Sequence, residues 1–270
     1  MIVEDYADIN QRLELKAPAP IWPPYSETWP PDYRNVFAWR VQTLERIRSD
    51  PRRFAACQIY YANHPTDWIC HWCDTFDTRN ANIGKMVYMP FILFKRQAEL
   101  VQFVYECLEA QESGLVEKSR DMGLTWLCCA ISVHLWLFRK GADIGWGSRH
   151  ADLVDRIGVA DSIFEKMRIL IRRLPRDFLP VGFNESEHML HRRILNPETG
   201  SSIAGEIGDS IGRGGRKTIY FVDEAAHLEH PEMVEAALMT NTNCQIAISS
   251  VNGIGNTFYN KRDRGVDWAP

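Results

Sequence analysis

Residues 86–270 predict an α/β fold with a mostly parallel sheet flanked by helices, and three observations predict it. Short apolar runs at 114–117, 142–147, 218–222 and 245–250 alternate with segments of helical spacing. A charged, turn-forming stretch separates the 114–117 run from the helical pattern after it. The 218–222 run ends in two adjacent carboxylates, as a buried strand does when it delivers polar groups to a sheet edge. Residues 1–85 differ in character and read as an N-terminal proline-rich arm with a helical appendage.

The elements follow in order. Pro18, Pro20, Pro23, Pro24, Pro30 and Pro31 stiffen 17–31 into an extended arm, because proline fixes φ and donates no hydrogen bond. Amphipathic helical patterns cover 33–49 and 51–62, and 68–82 is aromatic and turn-rich. Helical spacing returns at 95–111 and at 123–140. Leu153, Ile157, Ile163, Met167 and Leu170 fall near helical spacing and predict one long helix over 150–174. Strands are predicted at 188–195 and 201–206, and a helix at 231–239.

Composition narrows the class. Apolar residues make up 45% and charged residues 24% of the 270, which is enough for a sizeable core. No apolar run reaches the roughly 18 residues a membrane span needs, so no membrane partner is expected. The acidic start (Glu4, Asp5, Asp8) lacks a basic n-region, so no signal peptide is expected. Seven scattered cysteines point to reduced thiols in a cytosolic compartment. Cys70 and Cys73 bracket His71, but no second ligand pair follows, and packing beside Trp68 and Trp72 is the expectation. A formal net charge of −4 excludes a uniformly basic nucleic-acid binder; DNA would have to be held by local patches or by other parts of an assembly.

The turn stretch reads Lys118, Ser119, Arg120, Asp121, Met122, Gly123, Leu124, Thr125. A phosphate loop of the form G-x-x-x-x-G-K-[ST] cradles phosphate on backbone amides and a helix N-terminus, and its hydroxyl holds Mg²⁺. Gly123 and Thr125 stand in register with that form, whereas Leu124 replaces the lysine and Lys118 replaces the first glycine. The chemistry needs an ammonium near the β- and γ-phosphates, and a lysine at the first position can reach back across the loop to supply it. Alone, the stretch also reads as an ordinary strand, turn and helix.

Asp223 and Glu224 add the second half. An apolar strand that ends in Asp-Glu places Asp223 in the shell of a Mg²⁺ ion and Glu224 where it can polarise an attacking water, which is the Walker B arrangement. A solvated strand end is the competing reading.

Together these motifs resemble the ATPase motor of large terminase subunits of tailed bacteriophages, over about residues 68–262. Ser119 and Arg120 match the family's loop, and Lys118 matches those members that move the lysine to the first position. The segment from Pro90 to Gln97 resembles the family's adenine-recognition motif, with Phe91 packing on the base and the Gln97 amide reading its edge. Ser249, Ser250, Val251, Asn252 and Gly253, then Phe258 and Tyr259, resemble the coupling motif. The resemblance implies a P-loop NTPase core at 86–270, with ATP and Mg²⁺ as ligands. It implies translocation of viral double-stranded DNA into a procapsid. It implies a portal protein and a small terminase subunit as partners, a homo-oligomeric ring (monomeric in isolation), and the host cytoplasm as location. The family's C-terminal nuclease domain does not fit before Pro270, so no nuclease activity is expected from this chain.

In that reading Thr125 and, through water, Asp223 hold the metal. Lys118 and the loop amides neutralise phosphate, Glu224 orients water, and Ser249 and Asn252 sense the γ-phosphate. Arg120 acts in cis or is a surface charge. Arg213 and Arg216, in a glycine-rich loop, are candidates for an arginine finger given to a neighbouring subunit, or for DNA-phosphate contacts. Arg149, Arg172 and Arg173 read as solvated helix charges, His227 and His230 as a helix entry, and Trp126 and Trp136 as core. A helicase-like ATPase and a non-catalytic nucleotide-binding assembly module remain as alternatives.

Overall fold

The computed structural model describes residues 31–263, and the proline-rich 17–30 of the arm lies outside them. The chain forms two compact units, 1–98 and 99–270, so the segment from Pro90 to Gln97 belongs to the first.

In the first unit, α1 (Tyr33–Arg48) and α2 (Pro51–Asn63) start where Asp32 and Asp50 accept hydrogen bonds from Arg34 and Arg52 amides. Pro51 suits the first turn of α2, and Pro65 opens α3 (Pro65–Trp72), because a first-turn residue has no amide partner to lose. The stretch expected to be turn-rich thus begins as a helix. It buries Trp68, Trp72 and both Cys70 and Cys73. The appendage is not purely helical: β1 (Asp74–Phe76) pairs antiparallel with β2 (Tyr88–Pro90). Arg40 anchors it through a 2.6 Å bond to the buried Asp74 carboxylate and a second to the Cys73 carbonyl.

Helix α4 (Lys95–Ala110) leads into the second unit, where seven strands form one sheet. These are β3 (Gly114–Glu117), β4 (Asp143–Ser148), β5 (Met189–Leu190), β6 (Arg193–Leu195), β7 (Ser202–Ile207), β8 (Ile219–Asp223) and β9 (Gln245–Ser249), in the order β3-β9-β8-β4-β7-β6-β5. The first five in that order are parallel, and β6 and β5 run antiparallel at the far edge. The chain is therefore α/β with a mostly parallel sheet, as the alternating pattern predicts.

Helix α5 (Leu124–Phe138) is buried at every position from Leu127 to Leu137, as its unbroken apolar run requires. Trp136 is core as expected, whereas Trp126, in the first turn, is only half-buried. Trp146 stacks on Phe221 and donates to Ser132 of α5, which ties sheet to helix. Gly145 lets the Tyr220 ring lie on the strand backbone, since a Cβ there would sit 2.2 Å from the ring.

Two expected elements break. The long helix over 150–174 is α6 (Ala151–Val154), a turn, and α7 (Ile163–Arg173). Gly158, at φ 79°, reverses the chain, and the Asp155 side chain turns inward to pair with Arg168. The strand over 188–195 is a short helix, α8 (Glu185–His188), and the β5–β6 hairpin, which turns where Arg192 adopts φ 53°. After β8 come α9 (Pro231–Asn241) and α10 (Thr257–Asp263).

Candidate active site

The parallel strands end together on one edge, which gathers Lys118, Ser249, Asp223 and Arg149 from four neighbouring strands. The loop after β3 is tied down at once: the Lys118 amide donates to the Ser249 carbonyl at 2.9 Å. Asp121 at φ 63° and Gly123 at φ 69° make the two left-handed turns that bring the chain back into α5. No side chain caps α5, so the first-turn amides of Leu124, Thr125 and Trp126 face outward at the positive end of a fifteen-residue helix.

The Thr125 hydroxyl donates to Asp223 Oδ2 at 3.2 Å, across 98 residues of sequence. Burial pushes the Asp223 carboxyl above the usual carboxylate range, and the Lys118 ammonium and Thr125 hydroxyl oppose that. Lys118 thus sits where its charge acts on Asp223. The Thr125 hydroxyl and the Asp223 carboxylate are oxygen donors of the kind Mg²⁺ takes, and such an ion would supply the positive charge that the buried carboxylate lacks.

Glu224 follows at φ 56°, a left-handed conformation that costs a non-glycine residue energy. Its Oε2 lies 2.7 Å from Arg149 Nε, off the line of the N–H, so the contact is an ion pair more than an aligned hydrogen bond. Arg149 is therefore not a solvated helix charge. It follows β4 directly, and a position just past a parallel strand was the sequence signal that reading it as a helix charge obscured. Arg172 is likewise paired, with Glu165 and Glu185. Lys166 of α7, buried beside Trp126, is a second residue the sequence did not single out.

The residues at 249–252 grip the turn after Glu224. Ser249 Oγ accepts from the Ala226 amide at 3.1 Å, Asn252 donates to the Ala226 carbonyl at 2.8 Å, and Ser250 meets His227 Nε2. Ser249 is fully buried, and its hydroxyl reaches the turn after Glu224 through the Ala226 amide.

Arg213 and Arg216 project from the loop between β7 and β8, exposed and with no acidic partner among the described residues. Glu206 holds the loop's base by accepting from the Gly212 amide and the Tyr220 hydroxyl. Ser119, Arg120, Asp121 and Met122 form the exposed crown of the loop after β3. Phe91 and Gln97 lie in the first unit, both buried, and Gln97 Oε1 accepts from the Phe94 amide at 3.4 Å. A groove of about 430 Å³ bounded by Ser113, Leu238, Met239, Gln245 and Lys261 lies toward the amino ends of β3 and β9, at the opposite ends of these strands from Lys118 and Ser249.

A strand, loop and helix, with the helix's hydroxyl facing the carboxylate of a parallel strand two places along the sheet, give an α/β core consistent with the P-loop NTPase type. No family model and no curated protein sequence matches the chain. Among solved structures it is similar to the ATPase domain of the large terminase of Thermus phage P74-26. One crystal form of that domain aligns at 19% identity over 56% of this chain and 63% of that one, with a TM-score of 0.41. An arginine-to-alanine mutant of the same domain aligns at 19% identity over 59% and 67%, with a TM-score of 0.42.

Proposed function

We propose that this chain is an ATP-hydrolysing motor domain of the large-terminase kind, which drives viral double-stranded DNA into a procapsid. The observation that carries the reading is the Thr125–Asp223 contact, with Glu224 next in sequence and Lys118 close enough to act on Asp223. These are the groups that phosphoryl transfer to water requires, and they come from separate strands to one edge.

The first-turn amides of α5 and the Lys118 ammonium neutralise the triphosphate of ATP. Thr125 and Asp223 hold Mg²⁺, which when bound draws charge from the phosphate oxygens. Glu224, released from Arg149, accepts a hydrogen bond from water and orients it for in-line attack. Its movement is felt at Ala226 and so at Ser249 and Asn252, which gives hydrolysis a mechanical output. Phe91 and Gln97 are the proposed adenine contacts. The motif resemblance supports a homo-oligomeric ring on a portal, a small-subunit partner and the host cytoplasm. The missing lysine at Leu124 favours a second reading, a nucleotide-binding assembly module without turnover.

Glu224→Gln separates the two. The motor reading expects ATP binding near the parent's and hydrolysis nearly abolished, measured by nucleotide titration and steady-state phosphate release. A parent that binds ATP and releases no phosphate favours the module.

A further inference from the structure

Arg168 is the most deeply buried guanidinium among the described residues, and the ATPase reading gives it no task. Its two terminal nitrogens each donate to one oxygen of Asp155 at 2.7 Å, its Nη1 also meets Glu165, and its Nη2 donates to the Leu190 carbonyl. Asp155 in turn accepts from the Arg192 amide. A fork-to-fork pair of this kind is directional, and burial removes the water that would loosen it. It locks together two segments distant in sequence: the turn after α6 and the β5–β6 hairpin.

What this clamp presents is basic. Arg156 and Arg193 are exposed, Arg192 is half-buried, and none of the three has an acidic partner among the described residues; His191 sits at the hairpin tip. Of the carboxylates on α8, Glu185 is already held by Arg172 at 2.9 Å. Ile157 and Leu190 are exposed between the arginines, as apolar shoulders. Arg192 stands at φ 53°, where glycine would cost nothing, so the site keeps a cationic side chain at an energetic cost. The surface also has a position. The Gly205 amide of β7 donates to the Arg192 carbonyl, which sets the hairpin turn on the sheet edge that carries Asp223. It lies three strand spacings along from β8, about 15 Å.

We propose that Arg156, Arg192 and Arg193 form a phosphate-backbone contact for duplex DNA, held rigid by the Arg168–Asp155 clamp. The choice of duplex DNA as the polyanion rests on the motor reading above. Three unpaired guanidinium groups on a chain of net charge −4 are a local patch of the kind backbone binding needs, and no base-reading element is required. The same edge links the patch to the hydrolytic groups through β7 and β4.

The test is fluorescence anisotropy of a labelled duplex, without nucleotide, on the full chain. The triple variant Arg156→Ala/Arg192→Ala/Arg193→Ala is expected to weaken binding about tenfold or more at roughly 50 mM salt, and to flatten the log K against log salt slope by about 2 to 3, at about 0.9 per lost phosphate contact. Arg192→Gly, which relieves the left-handed strain, is expected to keep or raise thermal stability and to flatten the slope by about 0.9. DNA-free ATP hydrolysis is expected to be unchanged in both. Parent-like affinity and slope in the folded triple variant overturn the proposal, as does a parent that binds no duplex. If that parent still hydrolyses ATP, the motor reading survives the loss. Arginine-dependent duplex binding by a parent that hydrolyses nothing keeps the surface and removes the motor.

Discussion

The Arg149 guanidinium lies 2.7 Å from the carboxylate of Glu224, and it reaches it from the neighbouring strand, β4. Both side chains are more than a third exposed, so the pair is screened and weak enough to open when a competing anion arrives. While it holds, the carboxylate proposed to orient water is engaged by Arg149.

Arg149→Ala is therefore expected to raise ATP hydrolysis severalfold, because it removes the contact that holds Glu224. Steady-state phosphate release measures this. A loss of basal turnover would place Arg149 among the groups that assist the reaction, and not among those that restrain it.

Lys118→Ala is expected to reduce hydrolysis by roughly 10² or more, because it removes the cation that stands in for the absent loop lysine. Leu124→Lys is expected to be tolerated or to tighten binding, since Leu124 is half-buried at the mouth of α5 and a longer stem can reach outward. Parent-like turnover in Lys118→Ala would refute the displaced-lysine mechanism.

Arg213 has no acidic partner among the described residues and sits on a loop held at its base by Glu206. If it serves a neighbour's nucleotide, ATPase activity per molecule rises with protein concentration and Arg213→Ala flattens the curve. A concentration-independent rate, unchanged in Arg213→Ala and Arg216→Ala, would leave both arginines without a role in trans.

His71 predicts an acid sensitivity of the first unit. Burial lowers its imidazole to about 4, and its Nδ1 meets the Tyr61 hydroxyl at 2.9 Å. The unfolded chain binds a proton near pH 6.5 and the folded chain does not, so stability is lost as pH falls from about 6.5 towards 4, by about 3 kcal/mol in full. Thermal melts between neutral pH and the acid end of that window are expected to show this loss. His71→Asn, which retains a polar partner for Tyr61, is expected to show a smaller one.

Much of the core was legible in the sequence because its cause is local. Buried parallel strands need short unbroken apolar runs, and β3, β4, β8 and β9 carry them. The fully apolar α5 could only be central. The places of Thr125 and Asp223, in the first turn of a helix and at the end of a buried strand, were legible too, because both are written in consecutive residues.

What the sequence did not determine depends on partners far along the chain. Helical spacing ran through 150–174, but it could not show that Asp155 turns inward to Arg168 and that Gly158 breaks the run. Nor could it show a hairpin turning on a left-handed Arg192, since that conformation is held by Asp155 from another element. Arg149 looked like one more surface charge until the strand order set β4 beside β8. Local periodicity and consecutive motifs specified the elements and the candidate chemistry. Only the tertiary structure decided which distant charges meet, because ion pairing across strands and the energy of a strained backbone depend on the assembled sheet and not on neighbours in sequence.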